Sequence, residues 1–472
     1  MDAPRPRGIV VFGGGTATNS LVDVFESIRE SRNCSLSYVI PISDNGGSSS
    51  ELIRVFGGPG IGDIRSRLVR LIPGSDTDAE RASIKNIFNH RLSPDPLQAR
   101  LQWLDIVEGR DELWTNISSE KRELIRSVFN LVNMEIVKRA RPSSVFNFSK
   151  ASIGNLFLTG ARVFTGSLES AIYLLSTICG IPPTVSTLPA INTNFTHHIS
   201  AGLADGTQIT GQNSISHPSA PTSLPDDDDD SLGAGSGRSR QRETEAHDRI
   251  EDATLPGSLP TLRKPYIDFS KAAADAVDDE LPAPVRRVWY INPYGHEISP
   301  LANPKVLGAL GAARAAVYSV GSLYTSIVPS LLPRGVGAAL AAPDGPAYKV
   351  LILNSASDRE TGPRAAPLTA TGFVRAVARA AAAAGGRDVD FAAGDGGELV
   401  RRYVTHLVYL EGEGAPRVDR DELTTLGVDC IRVYGRRVDG MLRYDEAGLT
   451  RALEAVIGKP EMLRSRRNTS GQ

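Results

Sequence analysis

The stretch GIVVFGGGTATNSLVDVF, residues 8–25, restricts the fold more than any other part of the chain. A short β-rich apolar run stops at three consecutive glycines. Beyond them Leu21, Val24, Phe25 and Ile28 recur at the i, i+3, i+4, i+7 spacing of one helix face. A second apolar run, LSYVIPI at 36–42, follows. Strand, glycine turn, helix and strand make a βαβ unit, whose right-handed crossover predicts a parallel sheet and an α/β fold. Residues 80–140 read as mostly helical, with Trp103 and Trp114 as core anchors, and 153–164 and 168–179 as further helices. Short strands are expected at 184–188, 207–211, 288–294, 315–321 and 350–354. The Ala-rich segment 364–385, which carries Arg375 and Arg379, reads as a helix of a soluble protein.

Composition removes several function classes. With a net charge of −2 over 472 residues, whole-chain electrostatics make no case for nucleic acid. No run of about 18 uninterrupted apolar residues is present, so no membrane span is expected. Cys34, Cys179 and Cys430 are far apart and form no CxxC pair, which argues against a disulfide framework or a thiolate zinc site and for a reducing, cytoplasmic setting. MDAPRPRG has no apolar h-region, so no secretory signal is expected. From Gln212 to Leu262 the chain is Ser, Pro, Gly and charge, with five aspartates at 226–230. Too few large apolar residues are present to offset the entropy of ordering it, so this stretch is expected to be a disordered, solvated insertion. The tail RSRRNTSGQ is expected to be disordered too.

Chemistry-bearing residues gather where strands end. Glycines after a strand let backbone approach a ligand without Cβ interference, and the following helix turns its free N–H groups to the same spot. Gly13, Gly14, Gly15 and Thr16 are thus candidate phosphate donors, with Thr18 as a hydroxyl donor or cap. A ligand-free tight turn remains the alternative, since neither GxGxxG nor GxxxxGK[ST] is present. The next strand ends in ISDNGGSSSELIR, residues 42–54. There Asp44 could accept from a ribose hydroxyl or hold a phosphate-bound Mg²⁺. Asn45, Gly46, Gly47, Ser48 and Ser49 form a second donor-rich loop, and Arg54 lies on the helix behind it. In GGPGIGDIRSRL, residues 57–68, Gly62 closes a tight turn, Asp63 either caps a helix or joins Asp44 on a metal, and Arg65 can fork onto phosphate or carboxylate. In FSKASIGNLFL Asn155 is a base or substrate contact or a cap. YSVGSLYTSIVP repeats strand, glycine, hydroxyls, helix, with Gly321, Ser322, Tyr324, Thr325 and Ser326. NSASDRETG adds Asp358, Arg359 and Glu360 at another strand end. Ligands of open α/β sheets sit outside the carboxyl ends of the strands, so these loops read as one composite site.

No GxSxG elbow and no HExxH occur. His197 and His198 read as surface or core residues; His296, beside Glu297, is a candidate acid/base residue. A site with many phosphate donors and no evident nucleophile suits positioning and charge neutralisation.

Six ordered motifs, FGGGTATNSL, ISDNGGSSSELIR, PGIGDIRSRL, SIGNLFLTGAR, VGSLYTSIVPSLL and LNSASDRETG, resemble the CofD-like family (UPF0052) of 2-phospho-L-lactate transferases and YvcK-like gluconeogenesis factors. The resemblance implies a Rossmann-like three-layer α/β/α sandwich. It divides the chain into 1–211, the 212–262 insertion, a continuation of the same domain at 263–412, and a C-terminal extension at 413–472. It also implies Mg²⁺ at Asp44 and Asp63, with Arg65 beside them, and a nucleotide ligand of the GDP type or a UDP-sugar. One branch transfers a phospholactyl group from a guanylylated donor to a deazaflavin alcohol; the other binds nucleotide sugars and regulates carbon metabolism. By the same resemblance a homodimer is expected. Two positions depart from the family pattern: Ala17, where a glycine is common, and Arg314 in Ala-Ala-Arg, where an acid is expected. A dinucleotide-dependent oxidoreductase with Asp44 on the ribose is the remaining, weaker reading.

Overall fold

The computed structural model describes residues 7–43, 46, 48–74, 78–141, 144–216, 280–292, 294–363, 365–384, 396–438 and 440–458. The opening βαβ unit forms as its sequence predicts. β1 (Gly8–Phe12) and β2 (Leu36–Ile40) run parallel, with Ile9 opposite Leu36 and Phe12 opposite Val39. Between them lie the single-turn α1 (Thr16–Asn19) and α2 (Val22–Arg32). A helical series follows: α3 (Ser48–Phe56), α4 (Gly62–Arg70), α5 (Ala79–Asn89), α6 (Pro96–Glu108), α7 (Ser119–Arg139), α8 (Ile153–Thr165) and α9 (Leu168–Ile178). Trp103 and Trp114 are buried within it. β3 (Val185–Pro189) then returns to the sheet beside β2.

The chain next leaves the main sheet. β4 (His198–Leu203), β5 (Gln208–Thr210), β6 (Val285–Ile291) and β7 (Glu297–Ile298) build a small antiparallel sheet in the order β5-β4-β6-β7. After α10 (Pro304–Gly311), the strands β8 (Ala313–Tyr318), β9 (Tyr348–Ile352), β10 (His406–Tyr409) and β11 (Asp429–Arg432) complete the main sheet. Its seven strands are ordered β11-β10-β9-β8-β1-β2-β3 and all run parallel. α11 (Val328–Leu331), α12 (Val336–Ala341), α13 (Ala370–Ala384) and α14 (Glu446–Ile457) supply later helices.

Both faces of the sheet are covered, which makes this a Rossmann-like three-layer sandwich. Ile9 and Val11 face α2 and α14 through Val24, Phe25, Ile28, Leu449 and Leu453. Val10 and Phe12 face the opposite layer, which includes α3 to α9, α10, α12 and α13. This explains why β1 is an unbroken apolar run rather than an alternating one. Burying each of its large side chains stabilises by about 1.5–3 kcal/mol.

β1 is made first but sits in the middle. The chain grows to β2 and β3 on one side, then returns at β8 to grow on the other. The β1/β8 boundary is therefore the topological switch point, where open α/β sheets hold ligands.

Three expectations shift. The later strands begin two or three residues earlier than read, at 285, 313 and 348, because polar residues such as Arg286 and Arg287 are exposed at a strand end. Residues 212–216, placed with the insertion, form a helical turn in which Ile215 is buried and its carbonyl accepts from Arg359 Nε at 3.1 Å. The rest of the insertion, the segment 263–279 and the tail lie outside the described residues. The part after 412 supplies β11 and α14 to the main sandwich. Arg314, one of the two departures noted above, reaches that part: its Nε donates to the Ile457 carbonyl at 2.7 Å and its guanidinium lies over the Tyr348 ring.

Candidate functional site at the switch point

The glycine loop after β1 is packed from three directions. A Cβ on Gly14 would stand 2.8 Å from both Asp63 Oδ2 and Ser326 Oγ. One on Gly15 would stand 2.5 Å from Asp63 Oδ1 and 3.1 Å from Asp63 Cα. These positions are glycine because the first turn of α4 and the turn after β8 press against them. The Gly15 N–H lies beside the Asp63 carboxylate and favours its charged form. Burial pushes the Asp63 acid above the ordinary aspartate range, opposed by that N–H and by Arg67 and Arg65. Arg67, fully buried, donates from Nη2 to the Gly14 carbonyl at 2.8 Å and lies 4.4 Å from the Tyr38 ring centroid. Burial lowers the Arg67 guanidinium to about 10, opposed by Tyr38 and Asp63.

Across the crevice, Thr18 Oγ1 donates to the Val320 carbonyl at 3.0 Å, which ties α1 to the turn after β8. In that turn Gly321 N–H donates to Asn354 Oδ1 at 2.9 Å, and Asn354 Nδ2 donates back to the Gly321 carbonyl at 2.8 Å. Residues Leu323–Ile327 then form a π-helical turn. Its donors are taken by Glu360, whose Oε2 accepts from Tyr324 N–H at 2.9 Å and Thr325 N–H at 3.1 Å, while Oε1 accepts from the Thr325 hydroxyl. Glu360 is buried, and burial together with neighbouring Asp358 pushes its acid up to about 8. Asp358 caps the short turn Arg359–Thr361.

The sequence-expected residues divide accordingly. Gly13, Gly14, Gly15, Asp63 and Ser326 come together, with Gly62 opening α4 and Ala17 beside Gly321. Thr16 is exposed on α1. Gly321, Ser322 and Ser326 are half-buried and reachable, whereas Tyr324 and Thr325 are buried, and the Tyr324 hydroxyl donates to the Val285 carbonyl at 3.2 Å. Arg65 donates from Nε to Asn155 Oδ1 at 3.3 Å and from Nη1 to Asn89 Oδ1 at 3.2 Å. Arg54 donates to both Glu51 oxygens at 2.8 Å, to Ser144 Oγ at 2.6 Å and to the Val145 carbonyl at 2.9 Å, and none of these lies in a glycine loop. Ser49 is buried in α3, and the Gly46 carbonyl accepts from its N–H at 3.2 Å. Asp44, Asn45, Gly47 and the Ser48 side chain lie outside the described residues. His296 is exposed on the β6–β7 turn, where its N–H donates to Asn292 Oδ1 at 3.0 Å.

Sequence reading passed over Arg67 and Asn354. Arg67 stands two residues after Arg65 and therefore on another side of α4, and Asn354 ends the apolar run VLILN. Among the described residues no group of three His, Cys, Asp or Glu is placed to hold a metal, and no helix is long and apolar enough to cross a membrane. A separate cavity of about 110 Å³ lies between β6, α11 and α13; its walls are mostly apolar, with Arg286, Arg287 and Glu297 exposed around it.

Residues 9–434 match the family described as 2-phospho-L-lactate transferase CofD. The chain is 42% identical over 359 residues to the uncharacterized protein YNL011C of Saccharomyces cerevisiae, covering 75% of this chain and 79% of that one. It is 25% identical over 211 residues to the gluconeogenesis factor of Halalkalibacterium halodurans, covering 45% and 46% of the two chains. In architecture it resembles the crystal structure of protein BH3568 from Bacillus halodurans, a member of the UPF0052 family, with a TM-score of 0.56, 19% identity, and 96% and 100% of the two chains covered.

Proposed function

This chain belongs to the CofD family, and we propose that its switch-point crevice binds the diphosphate of a nucleotide and supports transfer of the 2-phospho-L-lactate transferase type. One observation carries the reading. Asp63 Oδ1 would stand 2.5 Å from a Cβ on Gly15 at the end of the central strand, and the Gly15 N–H favours its charged form, so the loop sets backbone beside an anion at the position where a phosphate oxygen would stand. Ser326 Oγ faces the neighbouring Gly14 from the opposite strand end. An incoming diphosphate exchanges for the carboxylate at the glycine loop.

Magnesium fits this arrangement. Asp63 is half-buried, its carboxylate is held up in pKa by desolvation, and a cation would relieve that cost. Mg²⁺ commonly takes one or two carboxylates plus substrate phosphates and keeps its waters, so a larger acidic cluster is not needed. Asp63 would be one ligand, and the ion would offset negative charge as phosphorus is attacked. The chain's own contribution is positioning: Gly13 to Gly15 and Ser326 hold the phosphates, and Arg67 fixes the loop from behind through the Gly14 carbonyl.

A second reading is a nucleotide-sugar-binding regulator of carbon metabolism. It is favoured by the relative named a gluconeogenesis factor and by the commitment of the Tyr324 and Thr325 amides to Glu360, which leaves fewer donors for a transition state. A thermal-shift panel of GDP, GTP, UDP, UDP-sugars and NAD(P), each with and without Mg²⁺, separates the two. At one hundred times Kd a ligand stabilises by about 2.7 kcal/mol. Magnesium-dependent GDP stabilisation supports the transferase. Metal-independent UDP-sugar stabilisation supports the regulator, and NAD(P) stabilisation alone defeats both.

A further inference from the structure

We infer that the cavity between β6, α11 and α13 is a binding site for a small amphipathic carboxylate, separate from the switch-point crevice and independent of the transferase reading. The cavity exists because α13 is built of alanine where it faces β6. Ala376, Ala380, Ala383 and Ala384 all line it, at the i, i+4, i+7, i+8 spacing of one helix face. Their methyl groups are too short to meet Val288 and Tyr290 of β6, or Val328 and Leu332, across the gap, and about 110 Å³ lies between them that no side chain fills. Close packing usually avoids a void of this size, because it forfeits contacts on every wall. An engineered apolar cavity of about 150 Å³ in another protein takes up benzene, so this space suits a single ring or a short branched chain.

The walls and the mouth ask for different chemistry. The two tyrosines that line the cavity have their hydroxyls occupied: Tyr290 donates to the Pro329 carbonyl at 2.9 Å and Tyr324 to the Val285 carbonyl at 3.2 Å. They therefore offer a ligand ring surface and no hydroxyl donor. The mouth holds Arg286, Arg287 and Arg379 with a single acid, Glu297. That acid pairs with Arg287, whose guanidinium also lies 5.0 Å from the Trp289 ring centroid. Arg379 donates from Nη1 to the Arg286 carbonyl at 3.2 Å. Glu297 is thus spent on Arg287, and exposed Arg286 has no carboxylate partner among the described residues.

A guanidinium is a planar fork that matches a carboxylate. An apolar body laid against the alanines with its carboxylate at Arg286 uses both halves of the cavity, in the usual manner of small-molecule sites: apolar walls and a few placed polar groups. A neutral apolar molecule leaves Arg286 unused, and a diphosphate finds too few donors. The site is also set apart from the glycine loop. Tyr324 and Ser326 belong to one π-helical turn, yet Tyr324 lines the cavity while Ser326 faces Gly14.

Calorimetric titration of the full chain with phenylacetate, and with phenylacetamide as its neutral analogue, tests the assignment. The acid is expected to bind at about 1 mM or tighter, and the amide about fivefold or more weakly. Ala380→Leu fills the cavity and is expected to abolish binding of both. Arg286→Gln is expected to retain the amide and to bring the acid down to the same affinity. Asp63→Asn is expected to change neither. Absence of binding by both probes at about 10 mM overturns the inference. So does binding that survives Ala380→Leu, equal affinity of wild type for acid and amide, a preference for the acid that persists in Arg286→Gln, or a loss of binding in Asp63→Asn. Should Ala380→Leu fail to fold, nuclear Overhauser contacts in wild type decide the location. Contacts from the phenyl ring to the Ala380 and Val328 methyl groups support the cavity, and contacts to other methyl groups alone overturn it. No nucleotide enters these measurements, so their failure leaves the transferase reading as it stands.

Discussion

The turns after β1 and after β8 read alike in sequence, since each places glycine and hydroxyl residues between a strand and a helical segment. In three dimensions they differ. After β1, the glycines are pressed by Asp63 and Ser326, and a single N–H meets a half-buried acid. After β8, two amides and a hydroxyl are consumed by one buried glutamate, and Gly321 is paired on both its polar groups by Asn354. The first turn is packed against a half-buried acid, while the second is fastened to its neighbouring strand end. A glycine-rich strand end therefore marks a place where something approaches closely, and the approaching group can be protein.

The largest effect should come from cutting the fastened turn. Glu360→Ala leaves two buried N–H groups and a hydroxyl without an acceptor, each costing about 1–3 kcal/mol. Chemical denaturation should show a loss of several kcal/mol by that same reckoning, and near-wild-type stability would erase the distinction between the two turns. Asp63→Asn should act at the open turn in the opposite manner. The unliganded protein keeps its melting temperature, while the Mg²⁺-dependent share of a nucleotide stabilisation that totals about 2.7 kcal/mol at one hundred times Kd disappears. Equal ligand stabilisation with and without the carboxylate would remove Asp63 from the site. Gly15→Ala forces a methyl against the Asp63 backbone, an overpacking of about 1–3 kcal/mol, and should weaken nucleotide binding measured by calorimetry about tenfold, with the fold retained.

The remaining effect is a slope. Glu360 holds its proton to about 8 when folded, against 4.5 as its ordinary value. The folded state thus binds a proton that the unfolded chain releases, so this stabilisation is complete below 4.5 and is lost as pH rises through 8. Wild type should lose stability relative to Glu360→Gln across that interval. Parallel pH profiles of the two proteins would mean that the buried acid is ionised throughout.

The fold was largely legible because its signals are local. The helix face of Leu21, Val24, Phe25 and Ile28 and the apolar runs of β1 and β2 each fit within a few residues. The gathering of Gly13 to Gly15 with Asp63 and Ser326 follows from parallel strands sending their carboxyl ends to one edge. Which donors remain open could not be read. Glu360 lies 35 residues from Thr325, and nothing in either motif says that the acid will occupy the amides. Arg54 shows the same limit. It sits on the expected helix, yet Glu51 one turn before it and Ser144, 90 residues on, take its guanidinium. The small antiparallel sheet was seen only as isolated strands, because β4 and β6 meet across a long interval of sequence.

The strand order also governs how the molecule can be made. β1 emerges early in synthesis but acquires its second neighbour only once residues 313–318 have been added. Until then one side of the central strand is an unpaired edge, open to association with other chains. Closing contacts this far apart in sequence is entropically costly and slow. A nascent or truncated chain ending before β8 would hold the glycine loop without the opposing turn. Completion of the switch-point crevice is thus tied to the last half of translation, and shielding of that edge by a chaperone should matter most in the interval before β8 docks.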